Sequence, residues 1–294
     1  MITIFTPTYN RAYTLPRLYE SLCRQTSKNF EWVVVDDGSA DNTRKLISEW
    51  LEKSPFKINY IYQENQGKSA AHNVGVENAE GDLFTCVDSD DFLVDDAVES
   101  IEKFWKEKSD IIGIICGRGY DEKNSITKWQ KVPEKINLKK AYSEKLLSGD
   151  TMLIYKTKII KKYRFPKFKG EKFVPESFLY DQLDNEGKLF VLNKILYICE
   201  YLPDGYTASI RKLNALNPNG YRAYILQRIS LEMKSKGNFK NKIFDIIRLI
   251  SINAILKNST FKDMRGFGVW RIFAVLLYPL GIFRYYRDFH EYIK

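Results

Sequence analysis

Short apolar, β-forming runs alternate with helix-forming segments through the first third of the chain. Residues 31–36 form a nearly uninterrupted apolar run, which is typical of a strand covered on both faces of a parallel sheet. Pro7 ends the run before it, and apolar residues recur at helical spacing between the two runs. This alternation predicts βαβ units, and therefore an open, mostly parallel mixed sheet flanked by helices. The predicted strands are residues 2–6, 31–36, 58–63, 81–87, 111–116, 153–155 and 189–201, and the predicted helices are residues 14–25, 42–53, 69–79 and 98–105.

Polar residues gather directly after the first, second and fourth predicted strands. The three segments are Thr-Pro-Thr-Tyr at residues 6–9, Asp-Asp-Gly-Ser at 36–39 and Asp-Ser-Asp-Asp at 88–91. Ligands bind at the carboxyl edge of the strands in open α/β sheets. The three segments therefore predict one ligand site at that edge.

The segment at 88–91 places three carboxylates, Asp88, Asp90 and Asp91, within four residues. Like charges at this spacing repel one another, so a cation would stabilise them. Oxygen ligands with open positions suit Mg²⁺ or Mn²⁺ that also binds substrate phosphates. The alternative is a solvated turn in which aspartate begins the next helix.

The segment at 36–39 has two interpretations. Gly38 can supply a positive φ, and the aspartates can stabilise a turn and a helix start. Alternatively, Asp36 or Asp37 accepts the imide N–H of a uracil ring, for which an ionised carboxylate is suited.

The charge of the chain is distributed unevenly. The formal net charge is +9, yet residues 1–95 carry 9 basic and 15 acidic side chains, whereas residues 206–294 carry 16 and 5. The acidic first third argues against a nucleic-acid-binding module. Four single cysteines and two histidines argue against a zinc finger and a disulfide framework, and they favour a reducing cytosol. The N-terminus lacks the pattern of a signal peptide.

Residues 206–294 are predicted to form a helical extension to an α/β domain at residues 1–205. Its helical stretches are 221–236, 239–256 and 270–289. Residues 269–283 are apolar but shorter than the roughly 20 residues that span a bilayer. Arginines and aromatic residues accompany this stretch, so residues 265–289 are predicted to rest on an anionic membrane surface. A domain-packing helix and a homo-oligomer contact are the alternatives.

Four motifs together resemble glycosyltransferase family 2, the inverting, nucleotide-sugar-dependent enzymes of the GT-A fold. They are FTPTYNR at 5–11, VVVDDGSADNT at 33–43, NQGKSAAHN at 65–73 and VDSDD at 87–91, and they occur in that order. The resemblance implies a GT-A fold with a Rossmann-like sheet, a UDP-sugar donor and Mn²⁺ or Mg²⁺. It implies that Asp90 and Asp88 bind the metal, with Asp88 also near the ribose. The implied nucleotide-binding residues are Thr6, Pro7, Thr8, Tyr9, Asp36, Asp37 and Asp88.

The roles of two further residues in these motifs have more than one interpretation. Lys68 either approaches the donor diphosphate or is an exposed turn residue. His72 stands where many family members carry arginine, and a single histidine beside a helix is more often structural than catalytic.

An inverting transfer needs a base, since the acceptor hydroxyl loses a proton as it attacks. In the family this base is a Glu or Asp before a helix in the C-terminal half of the catalytic domain. Glu176 follows Pro175 at a predicted helix start, and we expect it to be the base, with Asp181 and Glu171 as alternatives. A plain acid in the first turn of a helix is the competing interpretation.

The sequence therefore predicts an enzyme that transfers a sugar from a UDP-sugar to a glycan or lipid-linked saccharide. The resemblance suggests capsule, exopolysaccharide or lipopolysaccharide synthesis, at the inner face of the cell membrane. A nucleotidyltransferase is an alternative, although residues 6–10 supply no glycine-rich phosphate loop. A non-catalytic nucleotide-sugar-binding protein is another.

Overall fold

The computed structural model describes residues 1–105, 109–200, 209–234 and 239–293. The chain packs as two compact units. The first comprises Met1–Phe165 and Leu179–Leu202, and the second comprises Pro166–Phe178 and Pro203–Lys294. The domain boundary predicted at residue 205 lies outside the described residues and stays a prediction.

The first unit contains a mixed, mostly parallel sheet, as predicted. Its order is β3-β2-β1-β4-β10-β6-β11-β5, with β8 beside β11, and β7 and β9 form a separate two-stranded sheet. Neighbours among β1 to β4 are parallel, as are β6 and β11, whereas β10 runs antiparallel to both β4 and β6. The strands are β1 (Ile2–Thr8), β2 (Phe30–Asp36), β3 (Lys57–Tyr62), β4 (Leu83–Cys86), β5 (Phe92–Leu93), β6 (Ile111–Gly119), β7 (Lys128–Trp129), β8 (Lys135–Ile136), β9 (Leu147–Ser148), β10 (Thr151–Lys156) and β11 (Lys188–Ile198).

Helices flank this sheet and build the second unit. Those before residue 166 are α1 (Leu15–Arg24), α2 (Thr43–Lys53), α3 (Lys68–Glu77), α4 (Ala97–Phe104), α5 (Leu138–Ser143) and α6 (Thr157–Ile160). The later helices are α7 (Ser177–Leu183), α8 (Ile210–Leu216), α9 (Pro218–Lys234), α10 (Phe239–Leu256), α11 (Thr260–Asp263), α12 (Trp270–Leu276) and α13 (Tyr278–Asp288).

Strand β1 continues through Pro7 instead of ending there as predicted. On one side, β1 pairs with β2 through to Thr8. On the other side, its pairing with β4 ends at Phe5 and Cys86. The carbonyl of Phe5 faces β4, and the carbonyl of Thr8 faces β2. Because the backbone polar groups of successive residues alternate between the two sides of a strand, the nitrogen of Pro7 faces the side on which β4 has ended. A proline there breaks no ladder hydrogen bond.

Two later segments differ from the predicted elements. No strand is predicted within residues 123–145, but they include β8, whose Ile136 is buried and pairs with Leu189 of β11. The single helix predicted over residues 270–289 is divided at Leu277 into α12 and α13. Pro279 lies in the first turn of α13, where its missing N–H costs little, whereas inside a continuous helix it would break a hydrogen bond.

Each unit has its own apolar core. In the first, β2 is buried along its whole length, and α1 packs Leu15, Leu18 and Leu22 against the sheet. In the second, α10 packs against α9 and α13. Gly281 of α13 permits that close approach, because a Cβ there would lie 2.3 Å from Ile250 Cγ2.

Candidate functional site

The loops that follow β1 and β2 are tied together at the carboxyl edge of the sheet. Asn10 donates its backbone N–H to Ser39 Oγ at 2.8 Å and accepts the Ala40 N–H on its Oδ1 at 2.8 Å. Ala12 donates its N–H to Asp41 Oδ2 at 2.9 Å. Asn10 has a φ of 52°, a left-handed conformation that asparagine tolerates. The first two polar segments therefore form one surface.

Asp36 stabilises the turn that follows its own strand. Its Oδ1 accepts the Ser39 N–H at 2.8 Å, and its Oδ2 accepts the hydroxyl of Tyr60 at 2.8 Å. Burial and this carboxylate raise the pKa of the Tyr60 phenol above its usual value. Asp36 is fully buried, so the turn-stabilising interpretation applies to it, and a nucleotide contact by Asp36 stays a prediction.

Asp37 holds the loop before α3. Its Oδ1 accepts hydrogen bonds from Gln63 Nε2 at 2.6 Å and from the Gln66 N–H at 2.8 Å, and its Oδ2 accepts the Gly67 N–H at 2.7 Å. A carboxylate has about four lone-pair sites, and these hydrogen bonds occupy three of them in a side chain that is buried. Asp37 therefore fixes the backbone from which Lys68 extends.

The four residues of the first polar segment differ in exposure. Thr6 is fully buried and accepts the indole N–H of Trp32 at 2.9 Å. Pro7 and Thr8 are also buried, and the Thr8 hydroxyl makes no hydrogen bond to the part of the chain that the structure describes. Tyr9 is 50% exposed. Tyr9 is therefore the member of this segment that offers a large surface to a ligand.

Asp91 is bound by protein groups on both oxygens. Tyr197 donates its hydroxyl to Asp91 Oδ2 at 2.7 Å, and the Glu200 N–H donates to Oδ1 at 3.0 Å. The same Tyr197 hydroxyl accepts the Asp88 N–H at 2.9 Å. Burial and the charge of Asp88 raise the pKa of Asp91 to about 7, against the opposing effect of Tyr197. Asp91 thus anchors the turn at residues 88–91 to β11.

Asp88 forms an ion pair with Lys68. Lys68 Nζ lies 2.7 Å from Asp88 Oδ1, and the two side chains are 22% and 27% exposed. Burial alone would raise the pKa of Asp88, but the charges of Lys68 and Arg118 lower it. The structure therefore brings together two residues that the sequence placed in separate motifs.

Arg118 and Tyr197 support this turn and were missed in the sequence. Arg118 stacks its guanidinium 3.9 Å from the centre of the Tyr197 ring, in the cation–π range, and its Nη1 lies 3.9 Å from Cys199 Sγ. The available signal was an arginine near the end of the otherwise apolar run at residues 111–119. Such a charge needs a partner, but local sequence does not identify it.

Asp90 is an acid of this turn whose carboxylate has no ion pair among the described residues. Arg17 donates to its backbone carbonyl. Burial and the charge of Asp88 raise its pKa. Lys68 therefore pairs with Asp88, and neutral donors bind Asp91, whereas the carboxylate of Asp90 remains for a ligand.

Two of these carboxylates suit a divalent cation. Within the described ranges, no cluster of three or more His, Cys, Asp or Glu side chains could hold a metal on its own. Mg²⁺ and similar cations, however, commonly use one or two carboxylates and complete their coordination with water and substrate phosphates. Asp90 and Asp88 match that donor set, and a cation would relieve the repulsion that raises the pKa of Asp90.

His72 is buried in an aromatic cluster. Its ring makes edge contacts with Phe5, Phe84 and Phe165, with centroids 5.3–5.5 Å apart. Burial, together with the charge of Lys68, lowers its pKa to about 3. This environment agrees with the structural role expected for His72.

The candidate bases occupy different environments. Glu171 accepts the Asn219 N–H on Oε1 at 2.9 Å and the Gly220 N–H on Oε2 at 2.8 Å, so it caps α9. Glu176 is exposed and directly precedes α7 in the second unit, whereas Asp181 lies within α7 in the first unit. The capping contacts explain Glu171 as a structural acid. The roles of Glu176 and Asp181 stay predictions.

The sequence matches a known protein family over more than half its length. The family model described as glycosyl transferase family 2 matches residues 3–164. GlyA, a glycosyltransferase of Streptococcus pneumoniae, is 32% identical over 223 residues, which are 72% of this chain and 31% of GlyA. Chondroitin synthase of Escherichia coli is 29% identical over 227 residues, which are 76% of this chain and 32% of the synthase. The chain therefore spans about a third of the length of these relatives.

Solved structures share the fold. Residues 1–349 of TarS of S. aureus, in complex with UDP, superpose with a TM-score of 0.56 at 19% identity, covering 97% of this chain and 91% of that TarS chain. The mannosyltransferase PcManGT of Pyrobaculum calidifontis, in complex with GDP-Man and Mn²⁺, superposes with a TM-score of 0.57 at 16% identity, covering 98% and 87%. The expected GT-A fold is thereby confirmed.

Proposed function

Because this chain belongs to glycosyltransferase family 2, we propose that it transfers a sugar, with inversion, from a UDP-sugar to a hydroxyl of a glycan or lipid-linked saccharide. We place this reaction in the synthesis of a cell-surface polysaccharide, such as a capsule, exopolysaccharide or lipopolysaccharide. The observation that carries the proposal is the Asp88–Asp91 turn. It lies at the carboxyl edge of the sheet, joined to the neighbouring motif by the Lys68–Asp88 ion pair.

The donor proposal is supported by structures of the same fold. TarS has been solved with UDP and with UDP-GlcNAc, and PcManGT with GDP-Man and Mn²⁺. In this chain Asp90 and Asp88 would hold Mn²⁺ or Mg²⁺, which neutralises negative charge that develops on the leaving diphosphate. Tyr9 and Asp37 are proposed to contact the nucleoside. Thr6, Pro7, Thr8 and Asp36 shape that surface from beneath.

The acceptor must lose a proton as its hydroxyl attacks the anomeric carbon. We assign Glu176 as the base that accepts this proton, with Asp181 as the alternative. A single displacement assisted by one base inverts the anomeric configuration, as it does in inverting glycosidases.

An exposed apolar stripe on α12 and α13 supports attachment to a membrane surface. Four apolar side chains, each more than half exposed, recur here at intervals of three or four residues: Ile272, Leu276, Leu280 and Phe283. No helix within the described ranges is long and apolar enough to cross a membrane. We therefore propose that residues 265–289 rest in the interfacial region, with this stripe among the lipid chains.

Charge supports an anionic lipid surface as the proposed occupant of this stripe. Among the acidic residues of the second unit, Asp245 and Asp288 are buried, whereas Glu176 and Glu291 are exposed. Asp245 is paired with Arg228 at 3.1 Å and Arg248 at 2.8 Å, and Asp288 is paired with Arg287 at 2.7 Å. The exposed basic side chains of the second unit include Lys257, Lys262 and Arg265, and Arg265 begins the segment proposed to rest on the membrane. A second copy of this chain would bring the same positive surface and would be repelled.

The enzymatic proposal is tested by offering the full chain a panel of nucleotide sugars with and without Mn²⁺. We expect metal-dependent release of UDP from one UDP-sugar, increased by a saccharide acceptor. A preference for a GDP-sugar would change the nucleotide. No release from any nucleotide sugar, under conditions in which the chain is folded and binds UDP, would favour a non-catalytic binding protein.

A further inference from the structure

We propose that Lys68 is an exchangeable counter-ion, bound to Asp88 in the free enzyme and transferred to the donor diphosphate when nucleotide and divalent cation bind. This inference rests on the proposed nucleotide-sugar site and deepens it. It predicts that the chain binds the cation weakly by itself and much more tightly together with the nucleotide.

Lys68 occupies a carboxylate oxygen of Asp88 that a cation would need. Lys68 Nζ lies 2.7 Å from Asp88 Oδ1, a distance typical of a charge-assisted hydrogen bond. Asp90, the other proposed cation ligand, has no ion pair among the described residues. A cation that arrives alone therefore finds one available carboxylate and must compete with an ammonium group for the second.

The Lys68 side chain can leave Asp88 while the Lys68 backbone stays fixed. Asp37 binds the N–H groups of Gln66 and Gly67, and Gly67 holds a φ of 89°, which favours glycine. Lys68 then begins α3, and its ion pair with Asp88 is about a quarter exposed. A lysine has a flexible four-carbon stem, so its ammonium can exchange one anion for another without a change in the loop.

Asp88 is held in place by groups other than Lys68. The Tyr197 hydroxyl accepts the Asp88 N–H at 2.9 Å, and the Arg118 guanidinium packs 3.9 Å from the centre of the Tyr197 ring. Tyr197 and Arg118 therefore keep the backbone of Asp88 in position when Lys68 releases its carboxylate oxygen.

A nucleoside diphosphate supplies the competing anion. Its phosphate oxygens attract Lys68 away from Asp88, which makes Asp88 available together with Asp90. Binding of nucleotide then strengthens binding of cation, and by thermodynamic linkage the cation strengthens nucleotide binding by the same factor. Lys68 carries part of that coupling.

The test measures binding without turnover. Free Mn²⁺ is titrated with the full chain by electron paramagnetic resonance, with and without UDP, for the wild type and for Lys68→Met. We expect Lys68→Met to bind Mn²⁺ alone about fivefold more tightly, because a competitor is removed. In the presence of Mn²⁺ it should bind UDP about tenfold more weakly, because a phosphate contact is lost.

Two further variants complete the experiment. Lys103→Met removes the same charge from an exposed pair with Glu99 on α4 and should match the wild type in both titrations. Lys68→Gln provides a polar replacement in case Lys68→Met does not fold, and circular dichroism reports folding.

The opposite signs of the two effects make the proposal easy to overturn. If Lys68 variants bind Mn²⁺ alone with unchanged or lower affinity, Lys68 does not compete with the cation, and the proposal is wrong. If the wild type binds neither UDP nor GDP in the presence of Mn²⁺, the proposed function itself fails. The two failures are therefore distinguishable.

Discussion

The two units of this glycosyltransferase place their acidic residues in opposite ways. In the first unit, Asp37, Asp88 and Asp90 lie at the carboxyl edge of the sheet. In the second unit, Asp245 and Asp288 are buried and paired with arginines, and the exposed side chains include apolar residues of α12 and α13. The net charge of +9 is a sum over the whole chain, so it does not describe the charge distribution of either unit. The carboxylates of the first unit are proposed to serve cation and nucleotide binding, and the basic residues of the second unit are proposed to face an anionic surface.

The free-energy cost of burying a charge explains why the acids of the two units differ in their availability to a ligand. A buried acid such as Asp245 is stable because two arginines neutralise it, so it takes no part in external binding. Asp90 carries no such pair within the described residues, so its charge remains for a ligand to satisfy. The difference between the units can be tested at single residues.

The largest effect is expected at Asp90. Replacing Asp90 by Ala should lower kcat/KM for sugar transfer by roughly a thousandfold or more, because Asp90 is proposed to hold the cation that would neutralise charge on the leaving diphosphate. Nucleotide release measured with Mn²⁺ reports this loss. Asp95→Ala, a few residues away in an exposed pair with Arg24, is the matched control and should keep wild-type activity. Equal activity of the two variants would contradict the metal assignment.

Glu176 tests whether the second unit also contributes chemistry. Glu176→Gln should lower kcat by about a hundredfold to a thousandfold while UDP affinity stays unchanged, because a base acts in the transfer step and not in donor binding. Steady-state kinetics with saturating donor measure this separation.

Asp181→Asn is the companion variant for the base assignment. A loss confined to Asp181→Asn would identify Asp181 as the base. Full activity in both variants would show that neither acid accepts the proton.

His72 is expected to make the first unit sensitive to acid. Its pKa is lowered to about 3 in the folded state, against about 6.5 in an unfolded chain, so the unfolded state binds the proton more readily. Stability is then complete above pH 6.5 and is lost as the pH falls towards 3. Between pH 6.5 and pH 4.5 the loss from this group should be about 2–3 kcal/mol.

Urea unfolding followed by tryptophan fluorescence at those two pH values measures the effect. The His72→Phe variant should show a smaller loss of unfolding free energy on acidification than the wild type. His290→Phe, the same substitution in the second unit, controls for removal of a histidine. An identical pH dependence in His72→Phe and wild type would show that His72 is not buried in its neutral form.

The smallest effect is expected at the apolar stripe of the second unit. Phe283→Asp should weaken binding to vesicles of phosphatidylglycerol and phosphatidylcholine by about tenfold, because an inserted aromatic side chain is replaced by an anion. Co-sedimentation measures this binding. Leu51→Asp, at a similarly exposed leucine on α2 of the first unit, adds the same charge and should have little effect.

Other outcomes at the stripe are equally informative. If Phe283→Asp changes the molar mass in solution and leaves vesicle binding intact, the stripe contacts a second copy of the chain. If both variants bind vesicles as the wild type does, the membrane proposal is wrong.

Much of the first unit could be predicted because its signals are local. The buried β2 and the leucine spacing of α1 follow from apolar runs and helical periodicity, and both elements lie within a residue or two of their predicted bounds. The order of the polar segments also placed them at one sheet edge. The continuation of β1 through Pro7 could not be predicted, because it depends on where the neighbouring strand ends.

The roles of the three acids at residues 88–91 show the limit of local sequence. Asp90 and Asp91 are adjacent and chemically identical, yet Asp91 is bound by Tyr197, which lies 106 residues away in the chain. Lys68 begins helix α3 and Arg118 lies on strand β6, yet the charges of both lower the pKa of Asp88. Which acid is neutralised and which remains for a ligand is decided only when those elements pack together.

The sequence by itself determined the kind of element at most positions, the family, and the edge of the sheet at which polar side chains gather. These properties follow from periodicity and from motifs of a few residues. Only the tertiary structure decided which charges are compensated, because electrostatic energy depends on distance and burial and not on separation along the chain. The acids at the sheet edge and those buried in the second unit have the same chemistry, and packing alone gives them different functions.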